Sequence, residues 1–337
     1  TNYVDSAAAW TDMTLPSGHW RGESLDESAF SRSGDSGDTW NQLSLIDTQM
    51  SYLCDYALSV NTKNGETIYD LYLASVGIGL DSVWRSESNT LDKLGQIWQR
   101  VLCLDSRGND IILRLSPAEN EQRLFLGVKN THDARYFYED GGKWRWESVW
   151  DCPNITDIAL VSEKMFYILD DNLVYKGVRN EEMWGGIWEW QEVVDTGLSS
   201  GYTITVRGED FVFIGDGSNE GKVAYSYDGG ATFALTEAVP EPGKIQVIVD
   251  EEFDSNRFIY AISDSDSGKI YRWAIRGSTS WKDLKPRQSG FYALAEKENA
   301  LYGAYDSGVA RTLIPHESNI TSGDWDSLTV GLVSGTV

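Results

Sequence analysis

An aromatic residue followed three positions later by an aliphatic one recurs along the whole chain. The pairs are Trp40/Leu43, Trp98/Val101, Trp146/Val149, Trp190/Val193, Trp281/Leu284 and Trp325/Leu328, with Phe233 filling the one wide gap. Successive aromatics are 58, 48, 44, 43, 48 and 44 residues apart, a mean of about 48. A period of this length constrains the fold more than any other feature, because each unit is then one supersecondary element that buries its apolar faces only against its neighbours. Seven such units account for the 337 residues.

Two longer internal matches support the period. Gly141–Val149 (GGKWRWESV) matches Gly185–Val193 (GGIWEWQEV) at an offset of 44, one unit. The segments around Leu115–Gly127 and Val249–Ala261 match at an offset of 134, three units. Within a unit, strand signals fall in one order, clearest in the sixth: Ile245–Val249, Phe258–Ile262, Lys269–Ala274, and a fourth strand opening at Trp281. These β-branched and aromatic runs are separated by Gly, Asp, Ser and Asn. No apolar periodicity of 3.6 is sustained long enough for a substantial helix. The expected fold is therefore all-β: a β-propeller of about seven four-stranded antiparallel blades, with residues 1–337 as one domain. Fourth strands are expected to begin near the seven aromatics, and Trp190 to be buried between blades. The strands at the two termini are expected to complete a shared blade.

Two segments carry a further motif, Ser-x-Asp-x-Gly-x-Thr followed by an aromatic: Ser33-Gly-Asp35-Ser-Gly37-Asp-Thr39-Trp40 and Ser226-Tyr-Asp228-Gly-Gly230-Ala-Thr232-Phe233. Both end on the period-marking aromatic. In this the chain resembles the Asp-box (BNR repeat) propellers of sialidase-like architecture. The resemblance covers the chain in architecture and two units in motif. It implies that Asp35 and Asp228 staple turns between third and fourth strands, with Gly37 and Gly230 at positive φ and the aromatic packed inward. Sialidases share the box, but the Arg-Ile-Pro signature that usually introduces their first catalytic arginine is missing here.

Composition narrows the function. With 52 Asp and Glu against 28 Lys and Arg, the formal charge of −24 repels nucleic acid and favours cations or basic partners. No apolar run is long enough to insert in a membrane as a helix. Cys54, Cys103 and Cys152 are too few and too scattered for a zinc motif or a full set of disulfides. Because the chain opens on Thr1, it is expected to be a mature form or an excerpt of a longer surface protein.

No catalytic constellation stands out. His19, His132 and His316 lack metal-ligand spacing. Acidic turns recur after second strands at Asp170-Asp171-Asn172, Asp216–Gly221, Asp264–Gly268 and Asp306-Ser-Gly308. Asp264 and Asp266, with Asp216 next, are the candidate calcium ligands, although Ile275 stands where a calcium loop would place its bidentate Glu. Asn154-Ile-Thr156 and Asn319-Ile-Thr321 are glycosylation sequons. Trp10, Trp20 and Trp150 fall outside the repeat, where exposed indoles could stack on sugars. The expectation is a non-enzymatic, extracellular or cell-surface propeller serving a surface layer, adhesion or protein interaction, with a protein or glycan partner and possible self-association. The alternative is a glycan-acting hydrolase or lectin of the same fold.

Overall fold

The computed structural model describes residues 28–32, 41–47, 50–63, 65–77, 81–116, 123–140, 143–180, 187–241 and 243–328. The chain groups into two compact units, Thr1–Cys152 and Pro153–Val337. Apart from a one-turn α-helix, α1 (Phe253–Asn256), and two short 3-10 turns, every element among the described residues is a β-strand.

The first unit holds a two-stranded pair and two four-stranded sheets. The pair is β1 (Ser28–Arg32) with β2 (Asn41–Asp47). The first sheet runs β3 (Met50–Lys63), β4 (Glu66–Gly77), β5 (Asp81–Ser88) and β6 (Gln99–Leu104), and the second β7 (Ile111–Leu115), β8 (Leu124–Val128), β9 (Ala134–Asp140) and β10 (Lys143–Ser148).

The second unit holds four sheets. The third sheet is β11 (Asp157–Ser162), β12 (Met165–Asp170), β13 (Leu173–Asn180) and β14 (Ile187–Trp190), with β15 (Val194–Asp195) also pairing β13. The fourth is β16 (Gly201–Arg207), β17 (Phe211–Asp216), β18 (Val223–Ser226) and β19 (Ala234–Leu235). The fifth is β20 (Ile245–Val249), β21 (Phe258–Ser263), β22 (Tyr271–Ala274) and β23 (Lys282–Asp283). The sixth is β24 (Phe291–Lys297), β25 (Ala300–Tyr305), β26 (Gly308–Thr312) and β27 (Asp326–Leu328). All pairings are antiparallel and, apart from β13 with β15, between consecutive strands, a meander.

The described residues thus form six sheets, five of four strands and one of five, where about seven four-stranded blades were expected. The Trp40 unit accounts for the difference. Its described part is only the β1–β2 hairpin, and the 14-residue β3 of the next sheet opens soon after it. One aromatic per period marks a fourth strand, not a complete sheet. The shared blade expected from the stretch up to Phe30 and from Leu328 to Val337 lies outside the described residues except at its inner ends, where Ser28–Phe30 belong to β1 and pair β2, and Leu328 closes β27 and pairs Val309.

Within each unit the core lies between sheets. One cluster joins the first and second sheets around Tyr72, Leu113 and Phe137. Others join the third and fourth around Tyr167 and Ile214, the fourth and fifth around Phe213 and Trp273, and the fifth and sixth around Tyr260 and Leu301. A second strand covered on both faces must be apolar on both, which explains the unbroken runs LFLGV in β8 and FIYAIS in β21. The approach is close. A Cβ on Gly215 would stand 1.9 Å from the Ile245 carbonyl oxygen of the next sheet, so no other residue fits there.

First strands are sheet edges, and their N–H groups need acceptors. At four junctions a side chain from the preceding first strand supplies one. Asp55 Oδ2 accepts from Leu113 N–H at 2.9 Å, Asp157 Oδ2 from Ile204 N–H at 2.9 Å, Thr203 Oγ1 from Val247 N–H at 3.4 Å, and Gln246 Oε1 from Leu294 N–H at 2.9 Å. At the outer edge the repeated indoles do the reverse. Trp146 Nε1 donates to the Val101 carbonyl at 3.0 Å, Trp281 Nε1 to Glu237 at 2.7 Å and Trp325 Nε1 to Leu284 at 2.8 Å, each on the preceding sheet.

Strands begin directly after the aromatic at Asn41, Gln99, Ala234, Lys282 and Asp326. Trp146 and Trp190 instead lie within or at the end of their strands. Trp190 is half-buried against Phe166 and Tyr175, and the buried indole of that sheet is Trp188. The expectation that Trp190 is fully buried is therefore corrected by a shift of two positions, one strand repeat on the same face. Trp325, 3% exposed, is expected to lose about 3–5 kcal/mol on Trp325→Ala, and Trp190→Ala less. Asp157→Ala strands the Ile204 and Ile158 N–H groups and is expected to cost at least ~1–3 kcal/mol. Urea unfolding midpoints of the three variants check this order; equal losses at Trp190 and Trp325 would contradict it.

Candidate functional site

The first unit carries a groove of about 860 Å³ where the segments following β6, β8 and β10 converge. Its walls are Asp105–Arg107, the β8–β9 turn through His132 and Asp133, and Ser148–Cys152. Each wall is held locally. Ser106 N–H donates to Asp81 Oδ2 at 2.7 Å, pinning the segment after β6 to the third strand of its sheet. His132 Nδ1 lies 2.9 Å from the Cys152 carbonyl oxygen, which ties the turn to the segment after β10. Asp133 and Arg135 pair through two bonds of 2.9 and 2.7 Å. Arg107, Asn130 and Asp151 all have positive φ, 57°, 56° and 53°, a conformation costly for Arg and concentrated at ligand-contacting turns.

Two groups in the groove stand out. Trp150 is 78% exposed, far outside the burial ordinary for an indole. Ser106 is 1% exposed, yet its Oγ has no hydrogen-bond partner among the described residues. A buried hydroxyl without a partner costs about 1–3 kcal/mol unless a ligand or water meets it.

The remaining sequence candidates separate into other places. Ser226 Oγ donates to Asp228 Oδ1 at 2.7 Å and accepts from Gly230 N–H at 2.9 Å. The two Asp228 oxygens take Thr232 N–H and Thr232 Oγ1 at 2.9 and 2.6 Å. These bonds hold the Asp228 carboxyl below its usual range, Thr232 and then Ser226 contributing most. Gly230 has a φ of 82°. Phe233 is half-buried against the core between the third and fourth sheets, and Tyr167 Oη donates to the Gly229 carbonyl at 2.9 Å from the third sheet. The turn lies between β18 and β19, and none of its residues lines the groove. Ser33, Asp35, Gly37, Thr39 and Trp40 fall outside the described residues, as does His19.

The four acidic turns all join second to third strands of the second unit. Asp216 is buried, and its carboxylate is consumed by Ser218 N–H, Ser218 Oγ and Gly221 N–H at 2.7–2.9 Å. Asp264 Oδ1 accepts from Lys244 N–H at 2.8 Å, and Asp266 is exposed. Asp216, Asp264 and Asp266 do not gather into a three-residue ligand group. Among the described residues the one such group is Asp250, Glu296 and His316. His316 lacked sequence spacing because its partners lie 66 and 20 residues away; the faint signal was the 46-residue offset of Asp250 and Glu296, about one period. Burial first, then Asp250, pushes the Glu296 carboxyl up to about 8. Asn154 donates to Asp170 Oδ1 at 3.1 Å, while Asn319 is exposed.

No family model matches the chain, and no curated protein resembles it. Among solved structures it is similar to a "putative 6-phosphogluconolactonase" from Bacteroides uniformis, at 14% identity and a TM-score of 0.54, over 90% of this chain and 95% of that one. The likeness shows the fold. It is an all-β β-propeller, with six blades rather than about seven. Activity does not follow from a fold shared at this identity.

The cysteines test the local environments. Cys54 bridges the first and second sheets, accepting from Ile111 N–H and donating to the Ala74 carbonyl, and burial pushes its thiol up to about 11. Cys152 is buried and Cys103 exposed. Maleimide at neutral pH is expected to label Cys103 alone in the native protein and all three in denaturant, as peptide mapping would read. Native labelling of Cys54 at a comparable rate would show that the seam between the first two sheets opens.

Proposed function

We propose that this chain is a non-enzymatic binding module of an exported or cell-surface protein, and that the groove bearing Trp150 holds a glycan. The observation that carries the reading is the combination of an exposed indole with an unpartnered buried hydroxyl at Ser106 in one concavity. Sugars present an apolar C–H face to aromatic rings and hydroxyls to short polar side chains, and the groove offers Trp150 for the first and Ser106, Asn130 and His132 for the second. The acidic surface, the Asp, Ser, Asn and Gly of the turns and the exposed sequon at Asn319 support residence outside the cytoplasm. The motif at Ser226–Phe233 supports kinship with the Asp-box propellers.

A glycan hydrolase on the same groove is the second reading, favoured by the carboxylates of Asp105 and Asp151 among its lining. Asp133 is already committed to Arg135. The name of the structural neighbour supplies one more activity to assay.

A panel of oligosaccharides titrated into the purified chain, with tryptophan fluorescence and calorimetry as readouts, tests the proposal. Binding is expected without release of reducing sugar. Trp150→Ala is expected to weaken it about tenfold, equivalent to ~1.4 kcal/mol, and Ser106→Ala by a smaller factor. Absence of any binding oligosaccharide, or unchanged affinity in Trp150→Ala, would remove the groove from the proposal. Released reducing sugar would establish the hydrolase, and turnover of 6-phosphogluconolactone the activity named for the neighbour.

A further inference from the structure

Asp250, Glu296 and His316 meet at the seam between the fifth and sixth sheets. Asp250 follows β20 directly and its side chain is fully buried. Its Oδ1 is fixed by its own turn, accepting from Glu252 N–H at 2.7 Å and Asn256 Nδ2 at 2.8 Å. Its Oδ2 faces the seam, where Tyr260 Oη and His316 Nε2 lie at 2.5 and 2.7 Å. Glu296 comes from β24, the first strand of the next sheet. One of its oxygens accepts from Glu251 N–H at 3.0 Å; the other, Oε1, is buried with no hydrogen-bond partner among the described residues. His316 follows β26 in the same sheet, its ring stacked on Phe258 of the fifth. The three residues each place a ligand atom within 4.8 Å of the other two.

We propose that Asp250, Glu296 and His316 form a binding site for one zinc-class divalent cation, which staples the fifth blade to the sixth. The donor set decides the chemistry. One imidazole nitrogen and two carboxylate oxygens match zinc, which takes mixed N and O ligands and leaves a fourth position for water. Calcium requires six to eight oxygens, and the seam does not offer them. Support around the site is that of a ligand shell: Asp250 is held by its turn and by Tyr260, and the His316 ring is oriented by Phe258. Arg272 brings one positive charge near Asp250, its guanidinium lying over Phe258 and donating to the Pro315 carbonyl. Glu251 and Glu252 add negative charge on the Glu296 side, and Lys297 pairs with Glu251. The seam therefore remains net negative and attracts a cation. On metal binding His316 Nε2 gives up its proton to solvent and exchanges its hydrogen bond to Asp250 for a metal bond.

The full chain, stripped with chelator, is titrated with zinc chloride by calorimetry, and its melting curve is followed with zinc, calcium and magnesium. One zinc per chain is expected, with a rise in Tm that calcium and magnesium do not reproduce. His316→Ala and Glu296→Gln are each expected to weaken zinc binding by more than about tenfold, while His132→Ala and Cys103→Ser leave it unchanged. Cobalt substituted for zinc gives a readout that needs no variant: intense visible d–d bands without a thiolate charge-transfer band are expected from an N,O site of low coordination number. No stoichiometric zinc, equal stabilisation by calcium, a thiolate band, or unaltered affinity in folded His316→Ala would overturn the site. Failure of both site variants to fold would leave the cobalt spectrum and the metal comparison to decide it, either way.

Discussion

The structure depends on how one blade's first strand is held to the next. First strands of neighbouring sheets share no ladder, so each presents an edge of N–H groups that needs acceptors. Asp55, Asp157, Thr203 and Gln246 answer this with a side-chain acceptor aimed at the following first strand. The residue types differ but the role is constant, an oxygen at the right height on a strand. Everything outward follows from that registration. Once the first strands are fixed, each sheet packs on the next, which is why Gly215 of β17, lying against the Ile245 carbonyl of β20, can tolerate no Cβ and why the second-strand runs LFLGV and FIYAIS carry no polar alternation.

Far from that contact, the outer edge is set by a different residue class, and this is the part that was legible in the sequence. An indole just before the fourth strand fills the gap to the preceding sheet and satisfies one of its carbonyls. Few other residues do both, so the aromatic recurs and the period can be read. In the fifth sheet the strands expected at Ile245–Val249 and Phe258–Ile262 are observed at Ile245–Val249 and Phe258–Ser263. The first-strand acceptors were not legible, because Asp, Thr and Gln at a 44–58-residue offset look like ordinary polar positions of half-exposed strands. The number of complete sheets was not legible either. Trp40 carries the outer-edge signal, but the residues described around it make only a hairpin.

The same asymmetry explains the candidate sites. Periodic features report packing, and sites interrupt the period. Trp150 lies four residues after Trp146, off the repeat, and is exposed where the repeated indoles are covered. His316 belongs to the sixth sheet but contacts Asp250 of the fifth. Only the fold brings those chain segments together, and no spacing rule for metal ligands spans 66 residues.

The charge of −24 is better understood from what the carboxylates do than from their number. Asp81 takes two backbone N–H groups, Asp157 two, Asp216 two and Asp228 one with two hydroxyls alongside. In a fold made of turns and sheet edges, a carboxylate is a compact acceptor for stranded N–H groups. Acidity is therefore largely a consequence of architecture, and an acidic turn such as Asp216–Gly221 has little left with which to bind a cation. By the same reasoning the informative polar atom is one the architecture has not used. Ser106 Oγ in the groove and Glu296 Oε1 at the seam are two such atoms, both buried and both facing chemistry that their own strands do not supply.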